Sequence, residues 1–184
     1  MIFRRIVGIF YALEKVEYKI LDKMFEGEAP ESVFEIGCGG AALLKDISDH
    51  FGGIKVGGID ISKVRMENAK NIFPDTEFLI HDLNDPWPVP DNSYDMVFSI
   101  GVMMYIFNPV PVIQEMLRVA KKGIILAEYH NDQLDEAGWL MKYILADQIE
   151  TGIIRNYKKI FDKLGKEITM ENFNNDKTII KCLK

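Results

Sequence analysis

In the stretch VFEIGCGG a carboxylate, Glu35, stands two residues ahead of Gly37, with Cys38, Gly39 and Gly40 directly behind it. Three glycines so close together suit neither a strand nor a helix interior. They suit a tight turn where the backbone approaches another molecule with no Cβ in the way. Two further carboxylates follow, Asp60 in GGIDIS and Asp82 in LIHDL, each at the end of an apolar run. A carboxylate at such a place can accept hydrogen bonds from both hydroxyls of a ribose, and each charge-assisted bond contributes about 1.5–3 kcal/mol. Asp60, with Ile61 beside it, is therefore the expected ribose acid. Asp82 is the expected partner of an adenine exocyclic amine, with the Leu83 N–H next to it. His81 adjoins Asp82 and joins the same candidate site, a structural role being its plainer alternative. Cys38 reads as a small packing residue within the turn.

Two ligand classes fit this arrangement. GCGGAA matches the G-x-G-x-x-A form of a dinucleotide fingerprint at Gly37, Gly39 and Ala42. It also matches the E/D-x-G-x-G-x-G loop of S-adenosylmethionine binders, with Ala41 at the last small position. Glu35 separates the two. A carboxylate beside the turn would crowd a negatively charged pyrophosphate, but it is compatible with a ligand that carries an amine and a sulfonium. Asp60 serves both classes, since it reports adenosine.

These residues need a scaffold that sets them side by side. SVFEIG, IKVGGIDIS, TEFLIHDL, YDMVFSIGV and GIILAEYH read as strands, and the segments between the first three and before the fifth carry helical spacing of apolar residues. Ser62 is a suitable N-cap for the segment after the second strand, and the prolines of NPVPVIQEML suit a helix start. NDPWPVPDNS reads as a loop, dense in turn-forming residues. Such alternation predicts a doubly wound, mostly parallel α/β sheet with helices on both faces. KEITMEN and KTIIKCLK close the chain as a hairpin-like pair, so one of them runs antiparallel. In doubly wound sheets ligands bind outside the carboxyl ends of the strands where strand order reverses, which is where the first strand-to-helix turn lies.

Composition bounds the remaining possibilities. The 184 residues, 48% of them hydrophobic, are the size of one domain with one sizeable core. A net charge of −6 argues against broad capture of a phosphate backbone, so no nucleic acid partner is expected. Two cysteines, Cys38 and Cys182, form neither a disulfide framework nor a metal-ligand pattern. The default is a reducing, cytoplasmic setting without a metal. Ile2, Ile6, Phe10, Leu13, Val16, Ile20 and Met24 recur at helical spacing and predict an amphipathic N-terminal helix rather than a membrane span.

FEIGCGG, GIDIS, HDLND, YDMVFSIGVMMYI and LRVAKKGIILAEY, in that order, resemble the motifs of class I (Rossmann-like) S-adenosylmethionine-dependent methyltransferases of the small-molecule type. The resemblance spans about Glu31 to Tyr129 and implies a seven-stranded sheet ordered 3-2-1-4-5-7-6 with the last strand antiparallel. The chain departs at Ala41, where the family often has glycine. The resemblance implies S-adenosylmethionine as cofactor, held by Glu35, Gly37, Cys38, Gly39, Asp60, Ile61, His81, Asp82, Leu83 and Ser99. It further implies O- or N-methylation of a small molecule. The nucleic-acid amino-methylating pattern (Asn/Asp)-Pro-Pro-(Tyr/Phe) is absent, with Ser99, Ile100, Gly101 and Val102 in its place. Met104 and Tyr105 would then face the acceptor, although core packing explains a methionine equally well. His130 is the candidate proton acceptor. The single domain would divide into a helical lid (1–27), a cofactor core (31–130), and acceptor-side helices with the hairpin (131–184). Trp139, Met141, Tyr143 and Ile144 would help cover the acceptor pocket. A noncatalytic adenosyl-ligand-binding module and an NAD-dependent oxidoreductase are the alternatives; no Tyr-x-x-x-Lys pair follows the fourth strand to support the latter.

Overall fold

Apolar runs short enough for strands and buried on both sides are what a central parallel sheet requires. The chain folds accordingly. The computed structural model describes residues 18–26, 29–128, 130, 155–172 and 178–184. Seven strands run β1 (Ser32–Ile36), β2 (Lys55–Asp60), β3 (Phe78–Ile80), β4 (Tyr94–Ile100), β5 (Ala120–Glu128), β6 (Thr169–Asn172) and β7 (Thr178–Leu183). They form one sheet in the order β3-β2-β1-β4-β5-β7-β6. β1 pairs in parallel with β2 and β4, while β7 lies antiparallel to both β5 and β6. The order and the antiparallel last strand agree with the sequence-based expectation.

Side chains of β1 alternate between two cores, as the period of two demands. Phe34 and Ile36 face one side with Val97, Ile124 and Ile180. That side is covered by α4 (Pro109–Val119) through Val112, Ile113 and Met116, and by α5 (Tyr157–Lys163) through Tyr157 and Phe161. Val33 faces the other side with Phe98 and Ile125. There α1 (Tyr18–Phe25), α2 (Ala42–His50) and α3 (Lys63–Ile72) contribute Leu21, Met24, Leu44, Ile47, Met66 and Ala69. Ser62 caps α3 and Asn108 caps α4, with Pro109 opening the latter. The loop before β4 is pinned by Arg118, which donates to the carbonyls of Trp87 and Val89 and pairs with Asp91 and Glu115.

Two expectations need adjustment. β3 is three residues long and stops at Ile80, so Asp82 lies in the following turn instead of ending the strand. Its own carboxylate accounts for this, because an Asp that bonds the backbone two residues on makes a turn. Of the predicted N-terminal helix, residues 18–25 are seen, with Met24 buried; Ile2 to Val16, and with them most of the proposed lid, lie outside the described residues. So do Tyr129, Trp139, Met141, Tyr143 and Ile144.

The antiparallel closure depends on a close approach at Gly123, where a Cβ would stand 2.6 Å from the Cys182 carbonyl oxygen and 3.0 Å from the Leu183 Cα. Both neighbours are backbone, so neither can rotate away. Gly123→Ala is expected to part β5 from β7 and cost about 1–3 kcal/mol, read as a lower urea midpoint with an unchanged slope.

Candidate functional site

Three hydrogen bonds tie the turn after β1 to the end of β2, and a fourth closes the β2 end on itself. Gly37 N–H (2.7 Å) and Cys38 N–H (3.2 Å) donate to the Ile59 carbonyl. The Asp60 carboxylate accepts from Gly39 N–H (2.9 Å) through one oxygen and from Ser62 N–H (2.7 Å) through the other. Gly37 has φ +66° and packs so closely on Val102 that a Cβ would lie 2.5 Å from its Cγ2. Both facts require glycine there. Ala41 is also left-handed, at φ +61°, and buried at the head of α2. An alanine in that region costs about 1–2 kcal/mol relative to glycine, so the departure at Ala41 carries backbone strain.

Glu35 sits on the central strand and is 6% exposed. Its Oε2 has no hydrogen-bond partner among the described residues. Burial, and then the neighbouring Asp60 charge, push its pKa up to about 8. The same burial, followed by Glu35 and Asp60, drives the Cys38 thiol well above the ordinary range. Cys38 is inert for thiolate chemistry and instead packs its sulfur 3.8 Å from that of Met66. Two buried carboxylates thus lie near enough for the charge of one to raise the pKa of the other.

Of the other expected cofactor residues, Ile61 is 69% exposed beside Asp60, and Ile80, which the sequence reading did not single out, is 49% exposed at the end of the adjacent β3. Together they offer an apolar surface next to the carboxylate. The His81 N–H donates to the Asp60 carbonyl (3.1 Å) and its Nε2 donates to the Pro86 carbonyl (3.1 Å), so its ring braces the loop. Asp82 accepts from Asn84 through both the backbone N–H (2.9 Å) and the side-chain amide (2.8 Å). Those bonds hold its carboxyl below the usual range. Leu83 is half-buried and its carbonyl receives the Trp87 indole N–H (3.2 Å). Hydrogen bonds link the β3 end to Asp60, while Asp82 itself bonds only within its own turn among the described residues.

The loop after β4 is held from both ends, which the sequence reading missed. Glu128, buried at the end of β5, accepts at one oxygen from the Ser99 hydroxyl (2.7 Å), Val102 N–H (3.0 Å) and Met103 N–H (3.2 Å). Arg155, also buried, donates to the carbonyls of Met103 and Ile106. An anion thus satisfies the N–H groups at the start of the Met103–Tyr105 3₁₀ turn, and a cation binds the carbonyls of Met103 and of Ile106 just beyond it. Ser99 is wholly buried and spent on Glu128. Met103 is core, Met104 half-buried, and Tyr105 and Phe107 are 65% and 95% exposed. Burial and the Glu128 charge raise the Tyr157 hydroxyl well above its usual range. His130 bridges to Arg155, and its Nδ1 accepts from Tyr157 N–H (3.2 Å). His130 also borders a cleft of about 850 Å³ with Lys158, Asp162, Met170 and Thr178, on the β7–β6 side of β5 and away from the β1 turn.

Known proteins share the family and the fold. A family model described as a methyltransferase domain matches residues 28–177. The chain is 28% identical over 111 residues to a trans-aconitate 2-methyltransferase of Rhizobium rhizogenes, covering 60% of this chain and 43% of the relative. It is 29% identical over 112 residues to an ajmaline N-methyltransferase of Rauvolfia serpentina, covering 56% and 38%. The chain spans less than half the length of these two curated relatives. Its fold is similar to that of the plantazolicin methyltransferase BpumL in complex with a monoazolic desmethylPZN analog and SAH, with TM-score 0.71, 13% identity, and 98% and 89% of the two chains covered.

Arg155 meets two buried carbonyls from about fifty positions away in sequence. Arg155→Met would leave the Ile106 carbonyl without this donor and the Met103 carbonyl with only the Ile106 N–H (3.1 Å). It is expected to lower stability by about 2–4 kcal/mol in urea denaturation and to speed amide exchange across residues 103–107, with Arg155→Lys intermediate.

Proposed function

The chain belongs to the methyltransferase-domain family, and from that premise we propose that it binds S-adenosylmethionine at the β1 turn and methylates a small-molecule acceptor at oxygen or nitrogen. The observation that carries this reading is the unpartnered, buried oxygen of Glu35 beside Asp60. Such a site suits a cationic adenosyl ligand and offers the pyrophosphate of NAD no positive charge.

The residues present fit the cofactor. Gly37, Cys38 and Gly39 bring the backbone close, Glu35 faces its amino-acid end, and Asp60 receives the ribose hydroxyls on lone pairs left free by Gly39 and Ser62. Ile61, with Ile80 and Leu83, offers apolar surface to the base, beside Asp82 and His81. When bound, the sulfonium supplies a methyl group that is already activated, so no covalent protein intermediate is needed. The chain's own contribution is position and dryness. Ser99, through Glu128, sets the loop that carries Met104 and Tyr105, and these two face the acceptor in this reading. His130, whose Nδ1 accepts the Tyr157 N–H, is the candidate proton acceptor in this reading. A cytoplasmic setting belongs to the same proposal, supported by two buried free thiols. No helix among the described residues is long and apolar enough to cross a membrane.

S-adenosylhomocysteine is expected to raise the melting temperature and NAD to leave it unchanged; the reverse pattern would sink the assignment. Asp60→Ala should weaken S-adenosylhomocysteine binding by about a hundredfold or more, since it removes both ribose bonds and the anchor of Gly39. Incubation of a metabolite extract with the protein and methyl-labelled donor, followed by mass spectrometry, should yield one labelled small molecule. Cofactor binding with no labelled product would instead indicate a noncatalytic module.

A further inference from the structure

Glu35 is the one side chain at the β1 turn with a buried oxygen that nothing described in the protein satisfies. Its place explains why. β1 lies between β2 and β4, with Glu35 opposite Gly58 and Phe98, and neither of these neighbours brings a charge or a hydrogen-bonding side chain. The ionisable group that acts on it is Asp60 from the end of β2, an anion, while Glu35 in turn acts on the Cys38 thiol of the turn. Arg65 of α3 stands over the turn at Gly39, where a Cβ would lie 3.7 Å from its Nη1, and makes no ion pair with Glu35. A second negative charge placed here without a cation would be both desolvated and repelled.

Resting on the cofactor reading above, we propose that Glu35 holds a proton in the free protein and releases it when a cationic adenosyl ligand binds, so that the site exchanges a proton for a cation. The proton leaves the Glu35 carboxyl for solvent, and no covalent bond to the ligand forms. The ammonium of the ligand then neutralises the carboxylate that the proton had neutralised before. The group would act as a selectivity element, since only a ligand bringing positive charge offsets the cost of ionising it. An adenosyl compound that lacks the amino-acid end leaves Glu35 protonated.

The sign follows from the same geometry. The free protein keeps Glu35 neutral up to about pH 8, and pairing with a cation lowers that value. Between the bound and free values, affinity therefore rises with pH, by at most about tenfold per unit, and it levels off above pH 8. For the ligand-free fold the raised value works the other way. Stability associated with Glu35 is fully present below its unfolded value near 4.5 and is lost as pH climbs towards 8.

Calorimetric titration of the intact protein with S-adenosylhomocysteine at pH 7, in buffers of different ionisation enthalpy, measures the protons exchanged. About one proton released per ligand is expected, against none with 5′-methylthioadenosine, which lacks the ammonium. Glu35→Gln should abolish the release and flatten affinity between pH 6 and 8, which also corrects for titration of the ligand itself. Tight binding without proton release would overturn the exchange and leave the cofactor reading standing. Failure of S-adenosylhomocysteine to bind at any pH would overturn both. Should the variant not fold, the wild-type melting temperature decides: it should fall between pH 5 and 8 when the protein is free and hold steady when it is saturated with S-adenosylhomocysteine.

Discussion

The bond from the Gly39 N–H to the Asp60 carboxylate is the constraint on which the rest of the site depends. It ties the turn after β1 to the end of β2, while the Ile59 carbonyl takes the two N–H groups before it. A glycine-rich turn has many conformations open to it, and only an external anchor selects one. Asp60 is that anchor, and because each carboxylate oxygen has more than one lone pair, anchoring does not exhaust it. One residue therefore both shapes the cleft and supplies its polarity. Glu35 is buried next to it because the central strand leaves it nowhere else to go.

The loop after β4 repeats the logic with the charges divided. Glu128 holds the N–H end of the 3₁₀ turn and Arg155 its carbonyl end. The two halves meet where Val102 packs on Gly37. The glycine at that position is thus required twice, by its positive φ and by the valine, and a shift of the β4 loop would be felt by the turn after β1. The site is better described as two anchored loops in contact than as a pocket between independent strands.

What could be read from the sequence follows from range. The doubly wound sheet, the glycine turn and Asp60 were all legible, because their signals are local: alternating apolar runs, adjacent glycines, and an acid closing a strand. Asp82 was legible as a residue and misjudged in position, since its bonds to Asn84 end β3 early. The bond from the Ser99 hydroxyl to Glu128 had no local signal. Arg155 carried no signal at all. Its targets are the carbonyls of residues about fifty positions earlier, and an arginine in a polar stretch looks like any solvated one.

That division bears on how such a domain changes its chemistry. The turn after β1 is built from residues close in sequence and is readable as a short set of motifs. On the other side, the β4 loop is held by side chains from β5 and from beyond residue 154, so its shape depends on segments with no shared pattern. The relatives named above are called after different substrates, trans-aconitate and ajmaline, while this chain matches each over little more than half its own length. Fold and cofactor site can stay constant while the acceptor varies only if the acceptor surface is carried on separately anchored loops. Exposed Tyr105 and Phe107 lie on a backbone held by two buried charges: their identity can change without disturbing either Glu128 or Arg155, because the clamp grips the backbone and not the side chains.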